Sequence, residues 1–180
     1  MTADNLHLTH IPVVTAAMLI RRPPGEVFRA FADPAITTRF WYTKSSGPMT
    51  PGAKLRWEWE MYGASTGVSV REVEDNRRIL FDWNDDSPTT VEMRFTPWEQ
   101  DATFAEVTES GLSGSGDELV ARVAGSTAGF TIVLCALKAL LEHDIVLAAV
   151  RDRHPRTSYP ERTRASAAGP VAGLAPAATW

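Results

Sequence analysis

The sequence predicts an α+β fold: a curved antiparallel sheet of six strands wrapped on one long C-terminal helix, with two short helices after the first strand. Three observations predict it. Within residues 126–150, Phe130, Val133, Leu134, Leu137, Leu140, Leu141, Ile145 and Ala148 recur at helical spacing and make one wide apolar stripe. From Lys54 to Tyr62, Leu55, Trp57, Trp59 and Met61 alternate without exception against Lys54, Arg56, Glu58 and Glu60, the period of a strand with one wet and one dry face. Further alternating runs follow at short, regular intervals, which is the signature of an antiparallel meander. A single amphipathic helix after a strand-rich region has to bury its stripe against the sheet.

Taken in order, residues 1–12 read as a polar extension, and Val13 to Arg21 as the first strand. Pro23 and Pro24 stop it, and Pro24 opens a short helix to Ala32 with Val27, Phe28 and Phe31 on one face. Asp33-Pro34 ends that helix, and a second runs from Ala35 to Phe40. Tyr42 to Gly52 holds Gly47, Pro48, Pro51 and Gly52 and reads as a loop. After the strand at 54–62, strands are expected at Val68–Val73, Arg78–Asn84, Thr90–Thr96 and Thr103–Glu109. The stretch 111–116, GLSGSG, reads as a flexible link, with Ser126 as the N-cap of the long helix. The helix-bearing domain is expected over 13–150. Beyond it, residues 151–180 carry five arginines against Asp152 and Glu161, an Ala/Pro/Arg-rich tail of about +3 by formal counting.

Composition narrows the function classes. With 180 residues, 44% hydrophobic and 22% charged, the chain reads as one ordinary globular domain. A net charge of -4 gives no pull toward nucleic acid, and the Arg-rich tail lacks interleaved aromatics. Cys135 is the only cysteine, which suits a reducing compartment, and its place in the helix pattern suggests a small buried hydrophobe. No signal peptide and no membrane span are read, so the cytoplasm is expected. His7, His10, His143 and His154 show no metal-ligand spacing, there is no GxSxG elbow, and no glycine loop carries a following Lys-Ser/Thr; neither metal nor cofactor is expected.

Five pieces in order resemble a known family. They are Pro24-Gly25-Glu26-Val27-Phe28 with Phe31; Phe40-Trp41; Glu72 through Ile79 running into Phe81-Asp82-Trp83; Thr108 through Leu112; and Gly129-Phe130. Together they resemble the helix-grip fold of the START and Bet v 1-like (SRPBCC) superfamily, in the branch of the Hsp90 ATPase activator's C-terminal domain (AHSA1-like). The branch usually opens its last helix with Gly-Trp, and this chain has Gly129-Phe130. The resemblance implies binding of an apolar or amphipathic small molecule between sheet and helix, and a cavity enzyme of polyketide cyclase, dehydratase or hydrolase type as the alternative. Chaperone activation is not expected to transfer, since the eukaryotic activators use an additional N-terminal domain and only about ten residues precede the first strand here.

The residues themselves point the same way. Trp41, Trp57, Trp59, Met61, Trp83, Phe95, Phe130, Leu134 and Leu137 are the expected ligand-binding set; the rings either line a hollow or fill the core. Asp144 falls on the apolar stripe, either as an anchor for a ligand hydroxyl or a base, or as an acid that escapes to solvent or to Arg151. Glu109 shares a face with Ala105 and Val107 and carries the same two readings. The outer helix face, with Ile132, Cys135, Ala136, Ala139, His143, Val146, Leu147 and Val150, is poor in charge. A homodimer through this face is expected, with cover by the tail (Val171, Leu174, Trp180) as the other arrangement. A protein-interaction module is the third functional class.

Overall fold

A computed structural model describes residues 7–155; the expectations for Val171, Leu174 and Trp180 lie outside the described residues. The elements run β1 (Val14–Ile20), α1 (Pro24–Ala32), α2 (Pro34–Thr37), β2 (Lys44–Ser45), β3 (Lys54–Trp59), β4 (Ala64–Glu74), β5 (Arg78–Trp83), β6 (Thr89–Trp98), β7 (Ala102–Ser110), α3 (Gly116–His143) and α4 (Ala149–Asp152). Seven strands form one antiparallel sheet in the order β1-β7-β6-β5-β4-β3-β2. The meander β2 to β7 closes on β1 at one edge, where Val14 faces Glu109 and Ile20 faces Thr103.

The alternation that predicts the strands also sets their inner face. Trp57 and Trp59, Val68 and Val70, Ile79, Phe81 and Trp83, Val91, Met93 and Phe95, and Ala105 and Val107 are all buried at every second position. In β4 a bulge between Val70 and Glu72 inserts Arg71, which keeps Val73 opposite Ile79 despite the spacing of three. Gly67 belongs to the strand rather than to a turn, because the Asp85 carboxylate sits where a Cβ would be and accepts from Gly67 N at 3.1 Å. On the outer face Arg78 gathers Glu72 (2.6 Å), Glu74 (3.2 Å) and Glu92 in one exposed cluster.

Four expectations change. The sheet gains β2 within the loop at 42–52, where Thr43 N donates to Glu58 O at 2.8 Å and Ser46 N to Arg56 O at 3.0 Å; two residues are too few to show alternation. β3 stops at Trp59, and Met61 sits half-buried in the turn that Gly63 closes at φ 65°. The second short helix spans Pro34–Thr37, capped by Asp33, whose side chain accepts from Ala35 N at 2.9 Å. Most of all, α3 runs from 116 to 143, not from 126 to 150. Its N-cap is Ser115, in a capping box with Glu118, so the GSG stretch starts the helix instead of linking to it. The Ser115 amide, then its hydroxyl, hold the Glu118 carboxyl below the usual carboxylate range.

α3 lays Phe130, Val133, Leu134, Leu137 and Leu140 on the sheet, all buried. By length and composition it is apolar enough to cross a membrane, which corrects the expectation of no such segment; its docking on the sheet makes it the core helix of this fold. The sheet-facing stripe is the expected one; Cys135 is exposed on the outer face rather than a small buried hydrophobe, and Ala136, expected on that outer face, is buried. α1 packs over β6 and β7, burying Val27, Ala30 and Phe31, and the Thr37 hydroxyl donates to Ala30 O at 2.6 Å to tie α2 to α1.

The far end of α3 is clamped to β1. Arg21 N donates to Glu142 Oε1 at 2.7 Å, and Lys138 Nζ donates to Glu142 Oε1 at 2.6 Å and to Leu19 O at 2.8 Å. Burial pushes the Glu142 carboxyl up, but hydrogen bonds from Lys138 and Arg21 N, with their charges, more than offset it and leave it below the usual range. A carboxyl depressed in the folded state stabilises above its unfolded pKa, and that contribution is lost as pH falls through the folded value. Glu142→Gln is expected to cost about 1–2 kcal/mol at neutral pH, from lost charge-assisted bonds. It should also flatten the acid side of the stability curve below about pH 4.5. Thermal melts between neutral and acid pH check this; parallel curves for both proteins would remove Glu142 from the acid limb.

Candidate functional site

Under α3 the rings from β3, β5, α3 and the turn after α2 meet, most of them edge to face. Tyr42 stacks on Trp57 with centroids 4.5 Å apart, and Trp41 meets Trp57 edge-on at 5.0 Å. Phe81 lies 5.4 Å from Trp57, and Trp83 lies 6.5 Å from Trp57. Phe130 of α3 lies 5.6 Å from Trp83 and 6.3 Å from Trp41, which ties the helix to the cluster. Each ring is placed by simple means: Trp57, Phe81 and Trp83 by strand alternation, and Trp41 and Tyr42 by the turn after α2, where Trp41 N donates to Thr37 O at 2.9 Å. Edge-to-face contact adds roughly 0.5–1.5 kcal/mol per pair beyond burial.

Of the expected set, the structure brings Trp41, Trp57, Trp83 and Phe130 together, with Trp59 next to Trp57 at 6.4 Å. Leu134 and Leu137 are fully buried on the sheet face of α3. Phe95 stands apart, against Phe28 and Phe31 of α1, both at 5.8 Å. Met61 is at the β3–β4 turn. Asp144 is not on the buried stripe: it caps α3 at φ 52°, its side chain is 84% exposed, and it pairs with Arg39 at 2.8 Å. The helix ends one residue before it, so the stripe never reaches it.

Two polar groups that the pattern had not singled out complete the interior. Tyr42 directly follows Trp41, and its hydroxyl is buried without a hydrogen-bond partner among the described residues. Thr37 and Ser45 come near enough to favour its phenolate, though not in bonding geometry, and burial still pushes the hydroxyl up to about 12. Thr89 continues the inward period of Val91 and Met93 and is buried. Around it forms a polar knot with Glu109, which is 2% exposed. Thr89 Oγ1 donates to Glu109 Oε1 at 2.6 Å, and Trp83 Nε1 donates to the same oxygen at 3.0 Å. Glu109 Oε2 and Trp57 Nε1 are buried and have no hydrogen-bond partner among the described residues. A buried polar group left unpaired costs about 1–3 kcal/mol.

After α3 the chain doubles back. The Tyr62 hydroxyl donates to the carbonyls of Val150 and Arg151, and Arg153 Nη2 donates to Gly125 O at 3.1 Å. Residues 149–153 thus form a strap between the β3–β4 turn and the first half of α3. Asp144 and Ala148, both at positive φ, make the turns that reverse it. A surface hollow of about 380 Å³ lies elsewhere, between His7–Ile11 and the start of α3; Asp117 and Glu118 in the first helical turn make it a poor anion site. Among the described residues no three His, Cys, Asp or Glu side chains gather as metal ligands do.

One sheet, one long helix on its concave face and two short helices between the first strands define a helix-grip protein. Within that class, residues 21–142 match the family model described as Activator of Hsp90 ATPase homolog 1-like protein, and the chain belongs to that family. No curated protein matches it. Among solved structures, the protein SSP2350 from Staphylococcus saprophyticus is 27% identical, with 76% of this chain and 96% of that one aligned at a TM-score of 0.67. DynU16, a protein of the dynemicin biosynthetic locus, is also 27% identical, over 74% of this chain and 48% of that longer one, at a TM-score of 0.66. The Aha1 dimer from Colwellia psychrerythraea shares the fold at 18% identity and a TM-score of 0.64, covering 73% and 97%.

The buried phenol gives a direct test. A hydroxyl raised from 10 to about 12 stays neutral in the folded state while the unfolded chain ionises. Its contribution is therefore complete below the unfolded pKa and is lost as pH rises toward the folded value. Tyr42→Phe should flatten the loss of stability above about pH 10 and leave the neutral-pH stability equal or higher, since it removes an unpaired hydroxyl. Alkaline denaturation of both proteins reads this out; identical alkaline limbs would place Tyr42 in contact with solvent.

Proposed function

We propose that the protein binds a hydrophobic or amphipathic small molecule between the sheet and α3. The observation that carries this reading is the pairing of an aromatic interior with polar atoms that nothing in the described chain satisfies. Trp57 Nε1 and Tyr42 Oη are such atoms, inside the ring cluster. A core built for stability alone leaves no donor unpaired, whereas a binding interior keeps a few for its guest. DynU16, from the dynemicin biosynthetic locus, supports a small-molecule guest. Cytoplasmic residence is part of the same reading, with the exposed Cys135 suited to a reducing compartment.

An enzymatic reading, of cyclase, dehydratase or hydrolase type, draws on Glu109, a dry carboxyl bonded to Trp83 and Thr89. Binding is favoured, because the hydrogen-bond partners of Glu109 among the described residues, Trp83 Nε1 and Thr89 Oγ1, are not acid–base groups near neutral pH. 6-Propionyl-2-(dimethylamino)naphthalene, a fluorescent probe whose carbonyl oxygen can accept from Trp57 Nε1, should bind saturably at one site. Trp57→Phe, which keeps a ring and deletes the indole NH, should weaken it about fivefold, from the loss of roughly 1 kcal/mol. A folded protein with no saturable binding would overturn the reading.

Homodimerisation belongs to this proposal too. Ala121, Ala124, Ala128, Thr131 and Cys135 are exposed at alternating spacings of three and four along α3, a seam on which a second helix packs closely. A structural neighbour is a dimer in solution. Ala128→Glu should convert the dimer to a monomer by light scattering at micromolar concentration. A monomeric wild-type protein would exclude the seam as an interface.

A further inference from the structure

The inner face of β7 ends in an acid. Thr103, Ala105, Val107 and Glu109 alternate inward, and the first three are what a core strand requires. Glu109 is not, because a carboxyl in a dry interior needs all of its lone pairs satisfied or a cation beside it. The structure satisfies only half of it. Oε1 takes both available donors, Trp83 Nε1 at 3.0 Å and Thr89 Oγ1 at 2.6 Å. Oε2 is buried and takes none, and no Lys, Arg or His forms an ion pair with Glu109 among the described residues. The two donors on Oε1 fix the rotamer of the side chain, so Oε2 is held in one direction rather than left to search for a partner.

Trp83 connects this acid to the ring cluster. It donates to Glu109 through its nitrogen and packs against Phe130 at 5.6 Å and Trp57 at 6.5 Å through its ring. Among the described residues the interior is thus polarised: an acceptor with no donor at the β7 end, and a donor with no acceptor, Trp57 Nε1, at the β3 end.

We infer that Glu109 Oε2 is the recognition point for a hydrogen-bond donor on the guest, and that the guest is a ring-bearing molecule with a hydroxyl or amino group. The inference rests on the binding reading above and narrows its ligand class. A donor group on the guest completes the acid's bonding, and a guest without one leaves the acid as it stands. Loss of a bond to a buried polar group is penalised far more heavily than loss of a methylene contact. Selectivity therefore belongs to Glu109, while affinity belongs to the rings. Glu109 is a binding residue here, with no reaction assigned to it.

The experiment compares 1-naphthol with 1-methoxynaphthalene, near-isosteres that differ in the donor, by quenching of tryptophan fluorescence. The wild-type protein is expected to prefer 1-naphthol by about tenfold or more. In Glu109→Gln the amide nitrogen can replace Oε2 and turn an acceptor into a donor, so the preference should vanish or reverse toward 1-methoxynaphthalene. Equal affinities in the wild-type protein, or a preference that survives Glu109→Gln, overturn the inference while leaving the binding reading in place. Binding of neither naphthalene to the folded protein overturns both. Should Glu109→Gln fail to fold, the carboxyl carbon resonance of Glu109 in the wild-type protein decides. It should move with 1-naphthol and stay with 1-methoxynaphthalene, and the same shift with both overturns the inference.

Discussion

One long helix has to cover one face of a seven-stranded sheet, and most of the structure follows from that mismatch in width. An α-helix with its side chains is about 10–12 Å across, and seven strands at about 4.8 Å spacing are far wider. α1 and α2 cover part of the face near β6 and β7, with Phe28 and Phe31 meeting Phe95. The rest of the gap, over β3 to β5, is closed by side chains rather than by backbone. Only large rings reach that far, so Trp41, Tyr42, Trp57, Phe81 and Trp83 stand where smaller folds would place another helix. α3 itself is tied to β1 at its far end by the Glu142 clamp.

This division explains why the candidate site lies where it does. Aliphatic side chains on α3, such as Leu134 and Leu137, pack the strip directly beneath the helix. The polar exceptions are found among the rings, where Trp57 Nε1, Tyr42 Oη and Glu109 Oε2 are buried without a hydrogen-bond partner among the described residues. Their combined cost is a few kcal/mol at about 1–3 each, a large fraction of the margin of a domain this size. Replacing Tyr42 by Phe or Glu109 by Leu would be the simpler solution for folding alone.

Strand periodicity was legible because a side-chain period of two leaves no freedom: Trp57 and Trp59 are inside because Arg56 and Glu58 are outside. The family was legible for the same reason, since the carrying residues sit at fixed places in that pattern. Helix ends were not. α3 begins in a Gly-Ser run whose capping box is a local hydrogen-bond pattern, hidden by residues that equally make a linker. It ends at His143 although Ile145, Val146 and Leu147 extend the apolar run, because Asp144 takes a left-handed conformation that periodicity does not encode. The misplacement of Asp144 came from that one error. Tyr42 was missed because it lies in no periodic segment, and the short β2 because it has no period at all. Glu109 was visible on its strand, but which of its two readings held depended on Trp83 and Thr89, distant in sequence.

The strap after α3 lies beyond residues 21–142, the part of the chain that matches the family. Two of its three hydrogen-bonded anchors are main-chain carbonyls of its own, Val150 and Arg151, held by Tyr62, and the third is Arg153 reaching Gly125 O. Carbonyls are the same whatever side chain they carry. The segment is therefore free to drift in sequence while it keeps its place, provided that a tyrosine persists in the β3–β4 turn and a long donor at position 153. Among relatives, a comparable appendage is better traced by those two positions than by any similarity within the strap itself.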